Sequence, residues 1–230
     1  MIELRDVHAF YGESHVLHGM SFRVETGQVA TLVGRNGVGK TTTLRTITGI
    51  LPPRSGMIVL DDAPLTGLPS DRIAKRGIGY VPEERGILGS LSVYENLTLP
   101  PIVAPGGWSL DRIYGEFPIL KERARAGGMT LSGGEQQMLA IARVLRTGAR
   151  TILLDEPTEG LAPVIVERIG EVIRAIKADG ITVLLVEQNL RFATGVADVH
   201  HIVDHGHVVQ TLTNAEVVAR EGELLELLGV

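Results

Sequence analysis

The segment that most constrains this chain is residues 34–41, which read GRNGVGKT. It follows an apolar run at residues 29–33 and precedes a helical pattern that stops near Gly49. A G-x4-G-K-T pattern between a strand and a helix is the context in which backbone N–H groups cradle phosphate. Glycines let those N–H groups turn inward, and Lys40 supplies a positive charge. The segment therefore predicts a phosphate-binding loop.

Two further groups of the same loop suit phosphate chemistry. The start of the following helix adds its dipole, and the Thr41 hydroxyl is a ligand for Mg²⁺. The alternative is a glycine-rich turn that merely precedes a helix. Average residue usage gives a chance match in under about one per cent of chains this long, which favours phosphate binding.

Composition excludes several classes of protein. The chain has 230 residues, no cysteine and a formal net charge of −5. Disulfides and thiolate metal sites are therefore excluded, and the lack of a long basic block argues against a nucleic-acid partner. Charges interrupt the first residues, unlike a signal peptide, and no apolar run approaches the roughly 20 residues that cross a bilayer. We expect a soluble chain that reaches a membrane only through a partner.

The order of apolar runs predicts an α/β fold. Residues 29–33, 152–154 and 183–186 are predicted buried strands, each followed by a turn and a helical pattern, as in a parallel sheet. The opening segment alternates and predicts an antiparallel sheet. Residues 85–149 have broken, helical patterning, with a helix predicted from Glu135 to Leu145. Residues 215–228, including Leu228, predict an amphipathic tail interrupted near Gly222.

Two carboxylates directly follow the second predicted core strand. Asp155 is placed to hold the water shell of a Mg²⁺ ion, and Glu156 to orient and deprotonate an attacking water. A strand that runs into an acidic turn is common, so this pair gains meaning only from the upstream phosphate-binding loop.

A third motif, LSGGEQQ at residues 131–137, precedes the predicted helix of the middle region. Glycines and a serine at a helix start form an anion site. The same residues also make an ordinary helix cap, with Ser132 as the N-cap and Glu135 three residues later. Both interpretations remain open from the motif alone.

The order of these motifs resembles that of the ATP-binding cassette (ABC) ATPases over nearly the whole chain. Closer likeness to the ATPase subunits of branched-chain amino acid importers lies in further segments. These are residues 34–37, 44–47, 80–83, 95–97, 133–140, 159–163 and 186–189.

The resemblance implies a fold and a division of the chain. The fold is a P-loop NTPase (RecA-like) core with an N-terminal antiparallel β subdomain and an inserted α-helical subdomain. Residues 1–230 would form one ABC ATPase domain. Residues 1–84 and 150–230 would be the nucleotide-binding α/β core, and residues 85–149 the helical subdomain with the signature motif.

The resemblance also implies ATP and Mg²⁺ as ligands and assigns roles by position. Tyr11 would stack on adenine, and the catalytic residues would be Glu156, Gln188 and Lys40. Mg²⁺ would be held by Thr41, Glu83 and Asp155. The nucleotide-binding residues would be Tyr11, Gly34, Arg35, Asn36, Gly37, Val38, Gly39, Lys40, Thr41, Thr42, Ser132, Gly133, Gly134 and Glu135.

Two positions depart from the general family pattern. Glu83 stands where a glutamine usually faces Mg²⁺ and water, and Gln188 stands where a histidine usually contacts the γ-phosphate. An amide donates a hydrogen bond but carries no charge. Both changes also occur in the branched-chain subgroup, so they favour that subgroup and leave the turnover rate open.

The resemblance implies an energy-coupling subunit at the cytoplasmic face of the inner membrane. A second ABC ATPase subunit, identical or a sister, would pair head to tail with it. Transmembrane permease subunits would bind beside Glu83, and a periplasmic solute-binding protein would supply the solute. Alternatives are a urea or amide importer ATPase, a soluble non-transport ABC ATPase, and a regulatory module that hardly hydrolyses ATP.

Two features outside the motifs receive structural interpretations. His200, His201, His205 and His207 bracket a predicted hairpin, and a solvated strand face is favoured over a metal site. Trp108 lies in a Pro/Gly-rich loop and is either a local packing anchor or a contact residue.

Overall fold

The computed structural model describes the backbone of residues 1–228 and the side chains of residues 1–225. Its strands are β1 (Ile2–Tyr11), β2 (Ser14–Val24), β3 (Val29–Val33), β4 (Ser55–Leu60), β5 (Ala63–Pro64), β6 (Ile78–Val81), β7 (Thr151–Asp155), β8 (Thr182–Glu187), β9 (Val199–Asp204) and β10 (His207–Thr213). Its helices are α1 (Lys40–Ile47), α2 (Ser70–Lys75), α3 (Val93–Thr98), α4 (Leu110–Glu116), α5 (Pro118–Glu122), α6 (Gly133–Arg146), α7 (Pro163–Ala178), α8 (Leu190–Thr194), α9 (Asn214–Ala219) and α10 (Glu221–Leu228), with a 3₁₀ turn at Gly128–Thr130.

The strands form two sheets. The first is antiparallel, in the order β2-β1-β4-β5. The second has the order β10-β9-β3-β8-β7-β6, with parallel pairing from β9 to β6 and an antiparallel β10 at one edge. The predicted α/β class with an N-terminal antiparallel sheet is confirmed.

The central strands of the second sheet are buried on both faces. Every residue of β3, β7 and β8 is buried, because alternate side chains enter two different cores. Leu153 and Leu184 face α1 and the antiparallel sheet, whereas Ile152 and Val183 face α6 and α7. Strands covered on both faces have continuous apolar sequences, which explains the runs seen in the sequence. The parallel strands end at one edge, which brings the polar residues after them together.

The predicted helical character of residues 85–149 agrees with α3, α4, α5 and α6, which lie in this segment. Trp108 is a packing anchor: it is buried, its indole Nε1 donates to Asp179 Oδ2 over 2.7 Å, and the Arg112 guanidinium lies 3.9 Å from its ring centroid. The division into a core and a helical subdomain stays a prediction.

The structure corrects one expectation near the carboxyl end and supports another. His200 and His201 do not lie on a solvated face; they are 0 % and 2 % exposed. β9 runs between β3 and β10, and its four central residues are buried on both faces, whereas Asp204 and His205 at its end are exposed. The predicted interruption of the tail near Gly222 agrees with the break at Arg220, between α9 and α10, and Gly222 itself lies in α10. The predicted contribution of the Leu228 side chain lies outside the described residues.

Burial of these rings makes stability depend on pH. Burial lowers the pKa of His201 to about 4 from its ordinary value of 6.5. The unfolded chain therefore takes up this proton at higher pH than the folded chain. The buried neutral ring of His201 therefore contributes up to about 3 kcal/mol to the free energy of unfolding. This contribution is complete above about pH 6.5 and is lost as the pH falls towards 4. Glu187, whose pKa burial raises to about 7, contributes in the opposite direction over the same range, so the effect of His201 is measured by comparing variants with the wild type.

Two variants isolate that effect. His201→Gln removes the titrating ring while keeping a partner for Thr211 Oγ1, which lies 2.9 Å from His201 Nδ1. As the pH falls from 6.5 to 4, the unfolding free energy of this variant should rise relative to that of the wild type, by up to about 3 kcal/mol. His205→Gln, in the exposed turn of the same hairpin, should keep the wild-type slope. Equal slopes in the wild type and His201→Gln would contradict the prediction.

Candidate active site

The predicted phosphate-binding loop joins β3 to α1 and is shaped by its glycines. Gly37 and Gly39 have φ values of 82° and 105°, which side chains disfavour. Gly34 lies so close to β9 that an added Cβ would come within 2.4 Å of the Val203 carbonyl oxygen. The loop is therefore a ring of backbone held against the sheet, with helix α1 starting at Lys40.

Lys40 is 4 % exposed and folds back over this loop. Its Nζ donates to the carbonyl oxygens of Gly34 and Arg35 over 2.8 and 3.0 Å and lies 3.5 Å from Glu156 Oε1. The ammonium is thus held at the centre of the ring, where a phosphate bound by the loop would meet it.

The carboxylate of Asp155 connects the loop to a neighbouring strand. Thr41 Oγ1 donates to one carboxylate oxygen and the Tyr80 hydroxyl to the other, each over 2.9 Å. Burial raises the pKa of Asp155, and the two hydrogen bonds oppose that rise. The hydroxyl and the carboxylate thus lie side by side, close enough to contact the same bound cation.

Glu156 follows β7 in an unusual backbone conformation, with φ of 44°. Its N–H donates to the Val186 carbonyl oxygen of β8 over 3.0 Å, which fixes the turn. Burial raises the pKa of its carboxyl, Lys40 opposes this, and the neighbouring Glu159 reinforces it. A carboxylate with a raised pKa beside a cation suits a general base.

A cavity of about 270 Å³ brings most of the phosphate-binding loop together with Glu83 and Glu156, whereas Gly34, Arg35, Val38 and Asp155 do not line it. Its lining residues are Asn36, Gly37, Gly39, Lys40, Thr41, Thr42, Glu83, Glu156 and Glu159. Burial raises the pKa of Glu83, and the charges of Glu159 and Asp155 add to that rise. Excess negative charge here calls for a cation.

Within residues 1–228, no group of three or more His, Cys, Asp or Glu residues is arranged to hold a metal ion. Mg²⁺ commonly takes only one or two protein carboxylates and completes its shell with phosphate oxygens, water and an occasional hydroxyl. Thr41, Asp155 and Glu83 fit that limited role.

Gln188 lines an adjacent cavity of about 530 Å³ that shares Glu156 and Glu159 with the first. Gly160, Leu190 and Leu225 also line it. The structure thus brings Gln188 to the edge of the site. Its backbone follows directly from Glu187, the last residue of β8.

Tyr11 lies at the end of β1 and is 44 % exposed, which leaves its ring face accessible. Its phenol neighbours Arg45 of α1 and, together with Tyr80, raises the pKa of that guanidinium. A path of polar side chains therefore leads from Tyr11 through Arg45 and Tyr80 to Asp155.

The signature residues stand apart from both cavities. Ser132 and Glu135 form the predicted capping box at the start of α6, so the interpretation as a helix cap is confirmed. Gly133 lies against the Arg85 guanidinium and Gly134 against Ile165. None of Ser132, Gly133, Gly134 and Glu135 lines the cavity around Lys40.

Sequence reasoning missed the roles of Tyr80, Thr158 and Glu187. Tyr80 binds Asp155 because β6 and β7 are parallel neighbours, in the register Tyr80 to Leu153. Thr158 Oγ1 donates to Glu187 Oε1 over 2.7 Å. Thr158 and Glu187 each lie shortly after a predicted strand, where parallel strands place their functional groups, and that was a signal; Tyr80 lies on β6, which was not predicted from the sequence.

Comparison with known proteins defines the class of protein to which this chain belongs. The family model described as ABC transporter matches residues 17–159. The chain belongs to the ABC transporter family, as an ATPase subunit that binds ATP and couples its hydrolysis to transport.

Particular relatives narrow the comparison. The chain is 39% identical, over 95% of both chains, to the high-affinity branched-chain amino acid transport ATP-binding protein BraG of Pseudomonas aeruginosa. It is 36% identical to the lipopolysaccharide export system ATP-binding protein LptB of Escherichia coli, covering 92% of this chain and 90% of that one. It is 34% identical to a probable branched-chain amino acid transport ATP-binding protein, LivF, of Archaeoglobus fulgidus, covering 96% and 95%.

Solved structures agree on the fold. A dimeric post-hydrolysis state of the ATP-binding cassette MJ0796 bound to ADP and Pi matches with a TM-score of 0.83 and 26% identity, covering 93% of this chain and 99% of that one. The ADP conformation of the cassette MJ1267 matches with a TM-score of 0.81 and 25% identity, covering 99% and 97%. None of the helices within residues 1–228 is long and apolar enough to span a bilayer.

Proposed function

We propose that this chain energises an importer for branched-chain amino acids. The observation that carries the proposal is the 39% identity to BraG over nearly the whole chain, with LivF as a second relative of the same kind. Glu83 and Gln188 support it, because the branched-chain subgroup shares both departures from the general family pattern. LptB is similar enough, at 36% identity, to make lipopolysaccharide export the second candidate.

Solute stimulation of the ATPase tests this choice. The chain is purified with its own permease subunits and solute-binding protein, and its ATPase rate is measured with each solute. We expect leucine, isoleucine or valine to raise the rate, because on this proposal solute binding is communicated to the ATPase through the permease. Urea and short amides test the near alternative, and lipopolysaccharide tests the exporter. Stimulation by one of these and not by the amino acids would contradict the proposal.

For the chemistry, we propose in-line attack of water on the γ-phosphorus of ATP. The water oxygen bonds to phosphorus as the bond to the β-phosphate oxygen breaks, and the water proton passes to Glu156. Lys40 stabilises the charge on the β- and γ-phosphates, and the loop N–H groups hold them in place. Gln188 donates an amide hydrogen bond to the γ-phosphate, and Tyr11 stacks on adenine.

We propose that Thr41, Asp155 and Glu83 hold Mg²⁺ with the nucleotide. The ion supplies positive charge to the transferring phosphate. Support comes from the hydrogen bond between Thr41 and Asp155 and from the acidic lining of the cavity.

We propose that the working unit contains two cassettes and a permease. The separation of Ser132, Gly133, Gly134 and Glu135 from the cavity around Lys40 supports a second cassette that brings its own signature to this ATP. MJ0796, which has the same fold, is described as dimeric. The division at residues 85–149, the periplasmic binding protein and the position at the inner face of the membrane belong to the same proposal.

A further inference from the structure

Glu187 is a buried carboxyl group for which the proposed chemistry has no use. It ends β8 and is 3 % exposed. Burial raises its pKa to about 7. The three residues before it, Leu184, Leu185 and Val186, are all apolar and buried. An aliphatic side chain at position 187 would therefore pack there equally well. A buried carboxyl is costly unless its oxygens have partners. Its contacts therefore indicate why it is there.

Those contacts lead first to the turn that carries Glu156. Glu187 Oε1 accepts a hydrogen bond of 2.7 Å from Thr158 Oγ1, and Thr158 is itself buried. Thr158 stands two residues after Glu156, whose N–H is bound to the Val186 carbonyl oxygen. Two hydrogen bonds therefore hold the turn against the end of β8. The backbone of Glu156 makes one and the side chain of Thr158 makes the other, on either side of Pro157.

The other oxygen of the carboxyl faces the segment that carries Gln188. Glu187 Oε2 lies 3.4 Å from the backbone nitrogen of Asn189, which donates to it. Asn189 in turn caps α8, since its Oδ1 accepts from the Phe192 N–H over 3.1 Å. Gln188 is therefore placed between two anchored residues, at the edge of the cavity that it shares with Glu156.

We propose that Glu187 is a positioning residue for ATP hydrolysis, which through Thr158 holds Glu156 and Gln188 at a fixed separation around the γ-phosphate. It touches no reacting atom. The inference rests on the proposed role of Glu156 as the base. Loss of the link would leave the nucleotide bound and the base misplaced, so the turnover number would fall while ATP affinity stayed the same.

The experiment compares two variants of Thr158 in the subunit assembled with its permease. Thr158→Val keeps the shape and removes the hydroxyl, whereas Thr158→Ser keeps the hydroxyl. We expect Thr158→Val to lower kcat about tenfold with an unchanged KM for ATP, and Thr158→Ser to restore most of the rate. Thermal unfolding and binding of a fluorescent ATP analogue, measured on the same samples, separate misplacement from unfolding.

A second pair covers the case in which Thr158→Val does not fold. Glu187→Gln retains an oxygen acceptor for Thr158, and Glu187→Met does not, so only the latter should lose kcat. Equal losses within either pair, or a loss of ATP affinity in place of kcat, would overturn the positioning role.

Glu156→Gln measured beside these variants distinguishes the two levels of inference. If it abolishes turnover while Thr158→Val and Glu187→Met run at the wild-type rate, only the positioning role fails. If Glu156→Gln itself retains the wild-type rate, the proposed base is wrong and the positioning role fails with it.

Discussion

Replacing Glu156 with glutamine is expected to lower the turnover of ATP by about 10²–10⁴-fold, the range that a general base contributes. Glutamine keeps the size and the hydrogen-bonding oxygen of the side chain but cannot accept the proton of the attacking water. Lys40 and the loop are untouched, so ATP should still bind. On the proposed two-cassette arrangement, the variant should accumulate as a nucleotide-bound dimer because the step that reopens it is blocked.

Two measurements check this result. Phosphate release reports turnover, and size-exclusion chromatography with ATP and Mg²⁺ reports the trapped dimer. Glu13→Gln serves as the control, because Glu13 is an exposed carboxylate in the turn between β1 and β2. Glu13→Gln should match the wild type in both its rate of phosphate release and its elution in size-exclusion chromatography. A Glu156→Gln protein with undiminished ATPase activity would show that another group takes the proton.

Replacing Lys40 with methionine is expected to weaken ATP binding by about 100-fold. Each hydrogen bond to a charged group contributes about 1.5–3 kcal/mol, and a tenfold change in affinity corresponds to about 1.4 kcal/mol. Methionine fills much of the same buried space, so the loop should keep its shape. The variant also leaves the Glu156 carboxylate without the cation that opposes the effect of burial on its pKa, so that pKa should rise further.

Calorimetric titration with ATP and Mg²⁺ measures this loss directly. Lys75→Met is the matched control, because Lys75 is an exposed lysine of α2 whose partner is Asp71. Its ATP affinity should equal that of the wild type. Near-wild-type affinity in Lys40→Met would mean that the backbone of the loop, and not the ammonium, carries most of the binding.

The parts of the site that follow from local sequence were predictable. Residues 34–41 and the pair Asp155 and Glu156 occupy the positions that their motifs require, at the carboxyl ends of β3 and β7. Glycines and strand ends fix these features within a few residues of chain, so no knowledge of long-range pairing is needed.

The parts that depend on strand pairing were not predictable. Tyr80 meets Asp155 and Thr158 meets Glu187 only because β6, β7 and β8 pair in one particular register. The sequence separation of these partners gives no hint of contact. The prediction for His200 and His201 was wrong for the same reason, because the sequence does not show which distant elements cover the faces of β9.

The fold-back of Lys40 onto the carbonyl oxygens of Gly34 and Arg35 has a consequence for how nucleotide leaves. A buried ammonium stripped of partners would make the emptied pocket costly, and ADP would be slow to depart. Here the Lys40 ammonium can donate to the carbonyl oxygens of Gly34 and Arg35 in place of a phosphate oxygen as the product leaves. Release of ADP then replaces one set of hydrogen-bond partners of Lys40 with another. Strong binding of the phosphates during the reaction is therefore compatible with repeated release of product.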